Sequence, residues 1–160
     1  MKEFIDASVF LGMHSTDERT RVACKNYFVK RLNDQIGMSL EQIGKCDDVI
    51  WKYSREQQDA YYPFMDNLHT VMNIQRVAYD EKDVQEAITN TKLQDLSITD
   101  RLTAGMIIAR DGKLCTINPR MLALENFAVY SPESGGILSF PSALEELYQE
   151  SLEVRICTPG

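Results

Sequence analysis

The sequence predicts an α/β fold in which a mostly parallel central sheet lies between two layers of helix, and three observations predict it. Apolar runs of strand length alternate with helical periodicities from one end to the other, as layered α/β chains require. Helix-opening patterns, Ser15-x-x-Glu18 and Ser39-x-x-Gln42, follow the first two strand-like runs closely. Oxygen-bearing side chains stand at strand exits or helix starts, at Asp6, Glu41, Asp100 and Asn118. In a parallel sheet these positions converge at the carboxyl edge, where such folds hold ligands.

Glu3 to Leu11 reads as a buried strand that turns at Gly12. A helix follows from about Asp17 to Leu32, with Val22, Ala23, Tyr27, Phe28 and Leu32 near one face, and Asn33-Asp34 with Gly37 ends it. Gln35 to Met38 makes a short strand, and the helix opened by Ser39 carries Ile43, Cys46, Ile50 and Tyr53 at helical spacing. Glu41 lies in its first turn, where the helix dipole also favours a carboxylate. From Arg55 to Met72 the helical rhythm continues through Tyr61, Phe64, Leu68 and Met72, with Pro63 imposing a start or a kink.

Ile74 to Tyr79 reads as a strand or an extended linker. Asp80-x-x-Asp83 opens a helix to about Asn90 with Val84, Ala87 and Ile88 inward. Ser97 or Thr99 caps the next helix, whose inner face is Leu102, Gly105, Met106 and Ala109; a mid-helix glycine implies close packing, here against a strand, and Asp111-Gly112 stops the helix. Lys113 to Ile117 is a strand that Pro119 cannot extend, and Phe127 to Tyr130 is another. After the Ser131–Gly136 loop, Ser142-x-x-Glu145 opens a helix to about Ser151, and Val154 to Cys157 would close the sheet at an edge. No repeat or linker interrupts the chain, so a single domain over 1–160 is expected, with a helical elaboration around 55–90 and a C-terminal extension around 131–160.

Composition narrows the classes of function. The chain is 44% hydrophobic and 26% charged, the balance of a globular protein with a real core. No stretch reaches the ~18 apolar residues of a membrane helix, and the N-terminus lacks a signal-peptide segment, so a cytoplasmic protein is expected. Cys24, Cys46, Cys115 and Cys157 have no metal-site or redox spacing, and His14 and His69 stand apart. The formal net charge of −7 argues against strong autonomous binding of nucleic acid, although bound divalent cations would offset it locally.

Phe4-Ile5-Asp6-Ala7-Ser8, Ser39-Leu40-Glu41, the helix opening at Asp100-Arg101 and Thr116-Ile117-Asn118-Pro119-Arg120 together resemble the four ordered motifs of the PIN-domain family, in particular the VapC-type ribonuclease toxins. The resemblance implies a three-layer PIN-like fold and a divalent-metal-dependent endoribonuclease that hydrolyses phosphodiesters with a metal-activated water. By the same resemblance Asp6, Glu41, Asp100 and Asn118 would be the catalytic quartet that holds Mg2+ or Mn2+, and Ser8 and Thr116 would orient it. Arg101 and Arg120 could contact phosphate or stay solvated. RNA would be the substrate, an antitoxin-like protein the partner, and a homodimer the assembly. Asn118 stands where an acid is commoner, which weakens any second metal site.

A second reading stays open, in which the chain is a catalytically degenerate PIN-like interaction or accessory module; the acidic charge and Asn118 motivate it. A phosphatase of the haloacid-dehalogenase type would need an acid at the place of Ser8. Gly135-Gly136 lack the spacing of a phosphate loop.

Overall fold

Alternation within the strands decides the layers. On β1 (Glu3–Ile5), Phe4 faces one side and Ile5 the other, and on the neighbouring strand Leu114 and Cys115 divide in the same way. A sheet with apolar residues on both faces needs helices on both. The computed structural model, which describes residues 2–158, has that arrangement.

β1, β2 (Ile36–Ser39), β3 (Gln75–Val77), β4 (Lys113–Cys115) and β5 (Val129–Tyr130) form one all-parallel sheet in the order β3-β2-β1-β4-β5. One face is covered by α1 (Ala7–Gly12), α2 (Glu18–Lys30), α3 (Leu40–Ile50), α4 (Arg55–Met72) and the C-terminal helix, around a core that includes Phe10, Phe28, Ile50, Tyr61, Phe64 and Tyr148. The other face carries a smaller core of Phe4, Val77, Leu114, Ala104, Ile107 and Met121. Its helices are α5 (Glu81–Thr89), α6 (Ile98–Ala109) and α7 (Pro119–Leu122). The Phe4 ring leaves no room beside it: a Cβ on Gly37 or Gly112 would stand 2.8 Å from its carbons.

Several boundaries differ from the sequence expectation, each for a local reason. The first strand stops at Ile5, because Asp6 turns to cap α1. Asp17 caps α2 in place of Ser15, whose hydroxyl meets Thr158 and whose backbone forms a single parallel bridge to Ile156. The 154–157 segment is therefore a strap across α1 and not a sheet strand. Pro63 lies inside a continuous α4, and β3 within 55–90 belongs to the central sheet.

The C-terminal helix α8 (Ser142–Ser151) packs on α4, and Phe140, Leu144 and Tyr148 join the larger core. Buried Lys25 ties α2 to it through Glu145 at 2.9 Å and lies 4.8 Å from the centre of the Tyr148 ring.

α5 is rotated from the expected phase: Asp83 and Ala87 are buried, while Val84 and Ile88 face outward. Two contacts set that rotation. Arg110 grips the fully buried Asp83 carboxylate at 2.6 and 3.1 Å, and Gly105 lets α6 approach the α5 backbone, where an added Cβ would stand 2.7 Å from Ala87 N. The mid-helix glycine thus packs on a helix and not on a strand.

Gly105→Ala is expected to destabilise by about 1–3 kcal/mol, because backbone atoms must move. Gly44→Ala, in open space on α3, is expected to stabilise by about 0.5–1 kcal/mol. Urea unfolding of the two variants should move the midpoint in opposite directions.

Two buried imidazoles set an acid limit. Burial, with the Arg155 and Arg21 charges, pushes His14 from 6.5 down to about 3; burial and Arg76 push His69 to about 4. Each stays neutral in the fold while its unfolded counterpart takes up a proton, so stability falls as pH drops below 6.5, by about 1.4 kcal/mol per pH unit for each group. Denaturant midpoints between pH 6.5 and 5 should show this slope, and His69→Gln should remove one proton's share of it.

Candidate functional site

The order β3-β2-β1-β4-β5 reverses direction between β1 and β4, and the carboxyl ends of these two strands are where a parallel sheet opens a crevice. The residues that leave the two strands are Asp6 and Thr116. A cleft of about 500 Å³ opens there, lined by Asp6, Ser8, Gln42, Lys45, Asp100, Asn118 and Arg120, with Ile156, Cys157 and Thr158 forming one wall.

Asp6 is 5% exposed and fully engaged. Its Oδ1 accepts from Ser8 Oγ at 2.6 Å and from the backbone N–H groups of Ser8 and Val9, which caps α1. Its Oδ2 accepts from Thr116 Oγ1 at 2.5 Å. Burial nevertheless outweighs these donors and holds the Asp6 carboxyl above the ordinary carboxylate range. A cation at the cleft would reverse that balance.

The network continues from β4. Thr116 Oγ1 lies 3.0 Å from Ser8 Oγ and accepts from Asn118 N, while Ser8 Oγ accepts from Ile117 N. Asn118 uses Oδ1 to cap α7 by accepting from Arg120 N, which turns its Nδ2 to donate to Asp100 Oδ2 at 3.1 Å. Asp6, Thr116, Asn118 and Asp100 are therefore one hydrogen-bonded chain across the cleft floor. Asp100 is placed there because Ser97 caps α6 and accepts from Asp100 N, fixing the first turn.

Glu41 and Arg101 stand apart from that chain. The Glu41 carboxylate accepts from Tyr79 OH at 2.7 Å and is not part of the cleft lining. Arg101 donates to the carbonyls of Gln94 and Leu96, securing the loop before α6.

The side chain of α3 that does face Asp6 is Gln42. Its Oε1 accepts from Ala7 N at 2.9 Å and its Nε2 donates to Thr103 Oγ1 at 3.0 Å, pinning α3 to α1 and α6. One turn further, Lys45 lines the same cleft without entering any salt bridge among the described residues. Neither is an acid, so neither stands out in the sequence as a metal ligand, although Ser39-x-x-Gln42 marks the position.

The donor set that remains is two carboxylates, Asp6 and Asp100, beside neutral Asn118 and Gln42. Among the described residues no three His, Cys, Asp or Glu side chains gather to hold a metal ion. Two carboxylates still fit one magnesium-like ion, which is commonly held by one or two carboxylates with the rest of its shell from water and substrate phosphate.

A family model described as a family of unknown function, DUF6190, matches residues 1–159. No curated protein matches the sequence. Among solved structures, a chain of the VapBC2 complex from Rickettsia felis bound to a DNA fragment from its promoter superposes with a TM-score of 0.63 at 14% identity, covering 83% of this chain and 100% of that one. A chain of a toxin-antitoxin complex from Klebsiella pneumoniae gives 0.57 at 12% identity, covering 84% and 100%. At such identities the likeness concerns the fold, which is PIN-like: a five-stranded parallel sheet between helices.

Thr116→Val keeps the shape of the residue but leaves Asp6 Oδ2 buried without its donor. A loss of about 2–3 kcal/mol in unfolding free energy is expected, with the fold retained by circular dichroism.

Proposed function

This chain belongs to the DUF6190 family of unknown function, and from that premise we propose that it is a divalent-metal-dependent endoribonuclease of the PIN toxin type. The observation that carries the reading is the hydrogen-bonded chain from Asp6 to Asp100 at the switch point of the sheet. A Mg2+ or Mn2+ ion held by Asp6 and Asp100 would supply a water acidic enough to attack phosphorus and charge to stabilise the leaving oxygen.

The chain's own side chains do the rest. Asn118 holds Asp100 in place, and Ser8 and Thr116 orient Asp6. Lys45 and Arg120 present cations to the cleft, where a phosphodiester would lie. Glu41 supports Tyr79 from outside the cleft, so its role is structural.

The likeness to chains from two toxin-antitoxin complexes supports a protein partner that masks the activity. Exposed apolar side chains such as Trp51 and the Val84–Ile88 pair on the outer face of α5 offer it surface, or offer it to a second copy. Among the described residues no helix is long and apolar enough to cross a membrane.

A second reading, an inert PIN-like interaction module, is favoured by one observation: Gln42 stands beside Asp6 where a third acid would complete a stronger metal site.

Manganese separates the two. For the nuclease it should raise the unfolding temperature and permit cutting of a mixed RNA; at 100 times Kd the ion adds about 2.7 kcal/mol of stability. Asp6→Asn with Asp100→Asn should abolish both effects, Glu41→Gln should preserve both, and Gln42→Glu should tighten manganese binding. No manganese-dependent thermal shift in the wild type would favour the inert module.

A further inference from the structure

On the far side of the β4–α7 turn lies a second cavity, of about 280 Å³. Its floor is apolar, made by Ala23 and Cys24 of α2 with Ile117, Leu122 and Pro132; Arg19, Asp17, Thr20, Ser131 and Ser134 stand around it. Successive residues of one short segment divide between the two cavities. Ile117 and Leu122 line this one, while Asn118, Pro119 and Arg120 line the catalytic cleft. The segment 117–122 is thus a ridge with the reacting groups on one side and an apolar slot on the other.

We propose that this slot is a nucleobase subsite: it takes the base that flanks the phosphodiester held in the cleft. The inference rests on the reading of the cleft as a phosphodiester site, since the ligand must cross the ridge. Three features of the slot select that chemistry. Its apolar walls, which hold no aromatic ring, suit the face of a planar base, whatever its identity, because that face gains by leaving water for apolar surface.

The rim supplies both kinds of hydrogen-bonding partner that a base edge needs: hydroxyls on Ser131 and Ser134, and the Asp17 carboxylate, already accepting from Thr20. Arg19, outside every salt bridge of the described residues, stands at the rim where a further backbone phosphate would pass. A slot this close to the cleft gives the protein a preference for single-stranded substrate, because a paired base is stacked within its duplex and cannot enter.

The test compares binding of the methyl phosphodiester of ribose 5-monophosphate, which carries no base, with binding of a dinucleotide. Both are titrated into metal-free protein and followed by the methyl resonances of Ile117 and Leu122. The dinucleotide should bind about tenfold more tightly, a difference of ~1.4 kcal/mol. It should also shift those two methyl signals. Ser134→Trp, a change on an exposed loop that fills the slot from its rim, should erase the dinucleotide's advantage and leave the base-free diester unaffected. Ala23→Phe should do the same from the floor, with unfolding temperature as the check on its fold.

Equal affinity for the two ligands, or an advantage that survives Ser134→Trp, overturns the subsite. Lys45→Glu reads the other cavity: it should weaken both ligands equally. If it weakens neither while Ser134→Trp still removes the advantage, the slot binds a base but the phosphodiester does not lie in the cleft, and the reading of the cleft falls.

Discussion

A carboxylate that is almost wholly buried must be surrounded by donors, and the architecture around Asp6 follows from that requirement. Its oxygens end β1, cap α1, and hold Thr116 at the end of β4, so one side chain fixes the junction of three elements. The strand pair β1–β4 and the cleft above it share this constraint. Donors from Ser8 and Thr116 do not fully offset the burial, and the junction keeps an unfavourable charge that a cation would relieve. Stability is given up at the place where a ligand can return it.

Much of this was legible in the sequence. Helices with a regular apolar rhythm, Arg55–Met72 and Ser142–Ser151, have the expected bounds, and the strand-exit position of Asp6 and the turn at Asn118-Pro119 lead directly to the cleft. Other features depend on contacts between distant segments. Neighbouring residues on a helix diverge by about 100°, so Glu41 and Gln42 look nearly equivalent in sequence yet face different partners once Ile43, Cys46 and Ile50 are buried. The outward turn of Val84 and Ile88 was equally hidden, because Asp83 is drawn inward by Arg110, 27 positions later. Val154–Cys157 has the composition of a strand, but its partner is a single residue after α1.

The balance of charge also gains meaning from the fold. A chain of net charge −7 repels a polyanion at long range, yet Lys45 and Arg120 bring two cations to the cavity that contains Asp6 and Asp100. For the substrate proposed above, so few phosphate contacts would make attraction depend weakly on salt, and selectivity would have to come from shape and base contacts at the cleft.

The strap beyond α8 separates what folds the protein from what shapes its mouth. Ile156 is anchored in the core and by backbone pairing beside Ser15, and Thr158 meets the hydroxyl of buried Ser15, whereas Cys157 is exposed at the cleft wall. In this wall the Cys157 side chain can be recoloured by mutation without disturbing interior packing. A bulkier or charged residue at that position would change what the aperture admits while leaving the floor the same.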